Sequence, residues 1–178
     1  LRVGLIGSMM PHKGVHVAAG VFRDVDPARA RLDVWGAASA LPGYTDEVRR
    51  AAGDGPVHLR ERFPESEKRA IFASLDVLIV PSLGLESFGL VVDEAFACGV
   101  PVIAARRGAL AERLAGCPAA ALYDPERPEE LRAWIERLAT DHALLAEMRR
   151  RVPPVRTMGE HAAEIEEVYA RVLGAERA

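Results

Sequence analysis

At 178 residues the chain is long enough for one well-filled core, and its 49% hydrophobic and 28% charged residues are those of an ordinary globular protein. A net charge of −3 argues against the broad basic face that nucleic-acid binding requires, so Arg49-Arg50 and Arg149-Arg150-Arg151 read as solvated helix faces. Cys98 and Cys117 lie in apolar or small-residue surroundings without a CxxC spacing, and read as buried thiols of a reducing compartment rather than a disulfide.

Strand and helix patterns alternate from the first residue. Leu1 to Ile6 is a short apolar run ending at Gly7, the pattern of a buried strand, and a helical stretch follows from Gly14 to Val25. Leu32 to Trp35 is a second strand, Tyr44 to Ala52 a helix, and Val57 to Leu59 a short third strand. Pro64-Glu65-Ser66-Glu67 opens a helix to Ser74, because proline suits a first turn and acids suit the positive end of the helix dipole. Val77-Leu78-Ile79-Val80 is the most strand-like segment of the chain. After the loop Pro81 to Ser87 a helix runs from near Phe88 to Cys98, stopped by Gly99 with Pro101 beyond it. Val102 to Ala105 is the next strand, Gly108 to Leu114 a short helix and Ala120 to Tyr123 a weak strand. Helices follow over Glu129 to Ala139 and Leu144 to Arg150.

Pro153-Pro154 then breaks the chain, and Met158 to Leu173 makes a final amphipathic helix. Residues 1–155 are therefore expected to form one unit, with 156–178 either packing on it or reaching toward another domain. The chain opens on Leu1, already inside a strand pattern and without an initiator Met, which suggests a piece of a longer protein. No apolar run approaches the roughly 18 residues of a membrane span, and no signal peptide is visible.

Strands with little polar alternation, joined by helices, imply an α/β fold with a parallel sheet covered on both faces. Ligands of such folds bind at the carboxyl ends of the strands, where loops lead into helix starts. Three loops then carry the chemistry. The first, Gly7-Ser8-Met9-Met10-Pro11-His12-Lys13-Gly14, sets Lys13 at the mouth of a helix, an arrangement that favours an anion such as phosphate. Neither GxGxxG nor GxxxxGK[ST] occurs, so the dinucleotide fingerprint and the P-loop both fail.

The second loop, Pro81 to Ser87, leads into a helix whose first turn is expected to contain Gly89. Unpaired amides of Phe88, Gly89 and Leu90 would then face a ligand such as a diphosphate. Glu94 lies four residues beyond Leu90, on the same helix face and among apolar neighbours, so its carboxylate needs donors; the two hydroxyls of a ribose would supply them. Glu86 sits at the loop itself, where the reacting end of a ligand would lie, whereas Asp93 points elsewhere as a solvent-facing or ion-paired acid. Structural alternatives stand beside these: Glu94 ion-paired with an arginine of its own fold, and Phe88 as a core anchor. In the third loop, Arg106-Arg107-Gly108 either adds positive charge near the anion or is simple surface.

The run Glu86-Ser-Phe-Gly-Leu-Val-Val-Asp-Glu94 resembles the E-x7-E signature of retaining glycosyltransferases of the GT-B fold. Pro81-Ser82 before it, Ala95 to Ile103 after it, Gly108 with Glu112, and Pro11-His12-Lys13-Gly14 continue the likeness over nearly the whole chain. The chain is most similar to the C-terminal, donor-binding domain of glycosyltransferase family 4. That implies a Rossmann-like, doubly wound parallel sheet and a nucleotide-diphosphate sugar as donor, UDP- or GDP-linked, with no cofactor and no metal. No His-rich ligand cluster is present. The resemblance assigns ribose binding to Glu94 and the diphosphate to Ser8, Lys13, Phe88, Gly89 and Leu90. It assigns the reacting face to Glu86 with Lys13, and the base to the stretch Leu59, Arg60, Glu61.

One departure stands out. The family usually has an arginine one residue after the first-loop glycine, and this chain has Ser8. A charge-assisted contact is worth roughly 1.5–3 kcal/mol, so either donor affinity falls or Arg106 or Arg107 compensates. The implied activity is sugar transfer to an acceptor hydroxyl, glycan or lipid, with retention of configuration. The acceptor would be held by an N-terminal domain absent from this sequence, and the protein would be cytoplasmic, peripheral at the inner membrane face through that domain. Nucleic acid is not an expected partner. Two other readings remain: a nucleotide-sugar epimerase or hydrolase, with His12 the nearby candidate, and a non-catalytic nucleotide-binding module.

Overall fold

A computed structural model of the protein describes residues 1–175. Among them, six strands and eight α-helices alternate: β1 (Arg2–Ile6), α1 (Val15–Phe22), β2 (Arg31–Trp35), α2 (Pro42–Ala52), β3 (Val57–Arg60), α3 (Glu65–Ala73), β4 (Val77–Val80), α4 (Leu90–Ala97), β5 (Val102–Ala105), α5 (Gly108–Leu114), β6 (Ala120–Tyr123), α6 (Pro128–Thr140), α7 (His142–Arg150) and α8 (Met158–Ala175). The strands form one parallel sheet in the order β3-β2-β1-β4-β5-β6. This is the doubly wound, Rossmann-like order, and the direction of winding reverses between β1 and β4.

The strand residues explain the layering. In β4, Val77 and Ile79 enter the core beneath α1, α2 and α6, while Leu78 and Val80 enter the core beneath α3, α4 and α5. β5 repeats this, with Ile103 and Ala105 on the first face and Val102 and Ala104 on the second. A central strand covered on both sides has no polar alternation, which is why these two segments read as unbroken apolar runs. Gly4 in β1 has a packing reason, because a Cβ there would overlap the buried Leu75 side chain.

Three details differ from the expected elements. The first helix stops at Phe22, and residues 23–25 form a turn. Pro11–Lys13 coil into a short 3-10 turn before α1, and Ala38–Ala40 form another. The helix expected from Phe88 begins at Leu90, with Gly89 as its N-cap in the left-handed region at φ 80°. No described helix is long and apolar enough to cross a membrane. Side chains 156–174, nearly all of α8, are exposed, with Ile165, Val168, Tyr169 and Val172 at helical spacing. Of the 156–178 stretch set apart by the sequence, residues 176–178 lie outside the described residues.

Candidate functional site

A cavity of about 340 Å³ opens at the carboxyl ends of β1 and β4, at the point where the winding reverses. Leu5, Ile6, Gly7 and Ser8 line it from β1, Ile79 to Ser82 from β4, and Ser87 to Val91 from the start of α4; Lys13 and Glu86 stand on its wall. A larger cavity, about 520 Å³, lies between the α1–β2 connection and α6. It sits at the amino-terminal edge of the sheet, where strands present no helix starts, so size alone does not identify the site.

Two loops interlock beside the cavity. The His12 carbonyl accepts from the amides of Leu83 and Gly84 at 2.8 and 3.0 Å. Gly14 turns at φ 68° and lies so close to the Pro81 carbonyl that any Cβ there would collide with it. This closeness brings Lys13 to Glu86, 73 residues away: Nζ donates to Glu86 Oε1 at 2.6 Å. Ser82, itself buried, donates to the same oxygen at 2.5 Å. Burial alone would raise the pKa of Glu86, but the hydrogen bonds of Lys13 and Ser82, with the charges of Lys13 and His12, hold it below the usual carboxylate value. Glu86 is thus an anion already partnered, and Lys13 a cation already directed into the cavity.

The start of α4 supplies the second half of the site. No side chain caps it, and the amides of Phe88, Gly89, Leu90 and Val91 make no hydrogen bond to the described residues, the Val92 amide alone bonding back to Gly89. Gly89 adopts a conformation that L residues rarely take, and a Cβ on it would lie 2.8 Å from Leu110 Cδ2. Open amides and the positive end of the dipole therefore face the cavity together, the combination that binds anions. Phe88 is not a core anchor: its side chain is half-exposed, and the guanidinium of Arg113 stands over its ring at 3.9 Å. Arg113 also donates to the Phe88 carbonyl and to Asp93, both at 2.6 Å, which makes Asp93 the ion-paired acid expected of it.

Other expected residues are placed differently. Glu94 does not line the cavity, and its carboxylate is half-buried rather than enclosed; Lys68 of α3 donates to its Oε1 at 2.9 Å and pairs with Glu65 at 2.8 Å. Apolar neighbours therefore do not leave Glu94 in need of a ligand's donors, because a lysine 26 residues away in the chain provides one. Glu94 Oε2 has no hydrogen-bond partner among the described residues. Leu59, Arg60 and Glu61 stand at the end of edge strand β3, two strands from β1, and none lines the cavity. Arg60 is held by the buried Asp33 at 2.9 Å.

Ser8 lines the cavity without a cation to replace the arginine it stands for, because neither Arg106 nor Arg107 lines it. Arg107 instead donates to the Leu83 carbonyl at 2.5 Å and Arg106 to that of Leu122 at 3.3 Å. Both arginines brace backbone. In the sequence Ser82 has a place in the run before Glu86 but no role, and there is no local signal for Lys68 or Arg113. An Asp-x-Asp pattern, Asp24-Val25-Asp26, does occur in the chain, contrary to the expectation that none is present, but it lies at the opposite edge, where Asp24 pairs with Arg132 and Asp26 with Arg29. Among the described residues no group of three or more His, Cys, Asp or Glu is placed to hold a metal ion.

A family profile described as glycosyl transferases group 1 matches residues 1–141. The D-inositol 3-phosphate glycosyltransferase of Corynebacterium glutamicum is 38% identical over 170 residues, covering 91% of this chain and 38% of that protein. The chain thus spans well under half the length of that relative. Sucrose-phosphate synthase of Thermosynechococcus elongatus shares the fold at a TM-score of 0.78 and 24% identity, over 98% of this chain and 46% of its own. HepE of Anabaena, solved with UDP and glucose, does so at a TM-score of 0.79 and 21% identity, over 98% of this chain and 48% of its own.

Proposed function

This chain belongs to the glycosyl transferases group 1, and from that premise we propose that it is the nucleotide-sugar-binding half of an enzyme that transfers a sugar from a nucleoside-diphosphate donor to an acceptor hydroxyl. The observation that carries the reading is the uncapped start of α4 opening on the β1–β4 cavity, with Lys13 on the facing wall. A diphosphate placed there meets the amides of Phe88 to Val91 and one ammonium. These groups stabilise the charge that grows on the departing diphosphate, the requirement of any transfer with a phosphate leaving group.

In this reading Lys13 bridges diphosphate and Glu86, and Glu86 holds an ionised carboxylate beside the donor sugar. Ser8 contributes its hydroxyl and backbone where a second cation would stand, so Lys13 carries the charge neutralisation alone. The free Oε2 of Glu94 takes the ribose hydroxyls while Lys68 keeps Oε1. Retention of configuration, with the acceptor attacking on the face the diphosphate leaves, and transfer without a bound metal belong to the same proposal. So do α8 as the link to an acceptor-binding domain and the lack of transfer by these residues alone. The share of the relative that this chain does not match is large enough to hold a whole second domain, to which the acceptor belongs in this proposal.

The test is a thermal-shift series with UDP, GDP, ADP and their sugars in chelator. At a hundredfold excess over Kd a bound nucleotide stabilises the chain by about 2.7 kcal/mol. No shift with any of them refutes the reading. For the ribose role, Glu94→Ala is expected to remove the preference for a ribonucleotide over its 2′-deoxy form, and unchanged discrimination takes that role from Glu94.

A further inference from the structure

The open amides of the cavity are held from outside by a side chain that does not touch it. Arg113, at the carboxyl end of α5, spans the Phe88 carbonyl and Asp93 Oδ1, each at 2.6 Å, with its guanidinium stacked on the Phe88 ring. Phe88 and Gly89 line the cavity, and Arg113 and Asp93 do not. We infer that Arg113 is a positioning residue for the donor diphosphate, acting by fixing the direction of the Gly89 N–H; the inference rests on the function proposed above.

The reason lies in the Phe88–Gly89 peptide. In a trans peptide the carbonyl and the following N–H point in opposite directions, and no cis bond occurs among the described residues. An oxygen drawn outward to Arg113 therefore turns the Gly89 N–H away from Arg113, to the side where Gly89 meets the cavity. Gly89 has no Cβ, and glycine takes positive and negative φ about equally, so its own sterics do not choose between the two orientations of that peptide. An external hold must choose. Arg113 holds in one way only, because its planar fork is engaged at both tips and its face is stacked on the ring.

The same contacts separate positioning from charge neutralisation. Asp93 compensates the guanidinium directly, so the pair brings little net charge to the cavity, unlike Lys13. α5 grips the turn at a second point too, since Leu110 packs beneath Gly89, where a Cβ would come within 2.8 Å of its Cδ2.

Arg113→Met keeps an apolar chain over the Phe88 ring and removes the fork. Calorimetry on the 178-residue chain would measure the affinity of wild type and variant for UDP, GDP and ADP, each beside its nucleoside, with the thermal midpoint followed in parallel. We expect the variant to lose about five- to tenfold in affinity for the diphosphate that binds, the scale of one or two hydrogen bonds, with nucleoside affinity changed less than about twofold. Arg113→Lys, whose single ammonium cannot hold both Phe88 and Asp93 in the same fork, should fall between wild type and Met. It decides the matter alone if the Met variant does not fold. Equal losses for diphosphate and nucleoside, or no loss in the variants that fold, overturn the positioning role and leave the proposed function standing. A wild-type chain that binds UDP, GDP and ADP no more tightly than their nucleosides overturns both.

Discussion

The Lys13–Glu86 pair makes a prediction with a magnitude and a pH signature. The perturbations are Lys13→Met and Glu86→Gln, made singly and together. The two groups meet at 2.6 Å with side chains 29% and 16% exposed, and Ser82 shares the same carboxylate oxygen. Exposed pairs contribute about 0.2–1 kcal/mol, whereas removing one partner of a fully buried pair costs about 3–5 kcal/mol. This pair lies between, so a double-mutant cycle should return a coupling of about 1–2 kcal/mol at pH 7.5. The pKa of Glu86 is lowered in the folded protein, despite burial, by Lys13 and Ser82. Its stabilising contribution is therefore complete above the unfolded value, about 4.3, and is lost as pH falls through the folded value. Wild type should weaken more steeply than Lys13→Met across that window. Urea unfolding followed by the fluorescence of Trp35 and Trp134 measures both quantities. A coupling under about 0.3 kcal/mol, within ordinary additivity, or identical pH profiles for wild type and Lys13→Met, would refute the argument.

Three further outcomes follow from single contacts. Gly14→Ala should cost at least about 2 kcal/mol, because a left-handed φ and the Pro81 carbonyl both oppose a Cβ. Gly7→Ala, with open space around it, should stay within about 1 kcal/mol of wild type; thermal midpoints compare the two. The Tyr123 hydroxyl is buried without a hydrogen-bond partner, and burial pushes its pKa well up. Tyr123→Phe should therefore stabilise the fold by about 1 kcal/mol, a rise in midpoint that calorimetry resolves and that a fall would contradict. Asp33, buried in β2, is held by Arg31 at 3.2 Å and Arg60 at 2.9 Å, so Asp33→Ala should cost about 1.5–3 kcal/mol in urea titration.

The alternation of strands and helices, the parallel sheet and the three loops at its carboxyl edge are legible in the sequence, because they follow from local rules. Val77-Leu78-Ile79-Val80, a short β-branched run, reads as a strand buried on both faces, and Pro64 followed by acids reads as a helix start. Local rules also place Lys13 and Glu86 on loops at that edge, with Gly89 just beyond Glu86. They misplace the start of α4 by two residues, because a pattern of apolar residues does not show that Gly89 turns into the left-handed region before the helix begins.

What only the tertiary structure decided is which charge meets which. Lys68 reaches Glu94 across 26 residues and Arg113 reaches Phe88 across 25, while Arg60, Arg106 and Arg107 are drawn to carbonyls and to Asp33, away from the cavity. Residue types and spacing fix the faces of a helix, but the partner of a long charged side chain depends on how two helices pack side by side on one face of the sheet. That packing is set by apolar contacts far from the charges themselves, and no local pattern records it.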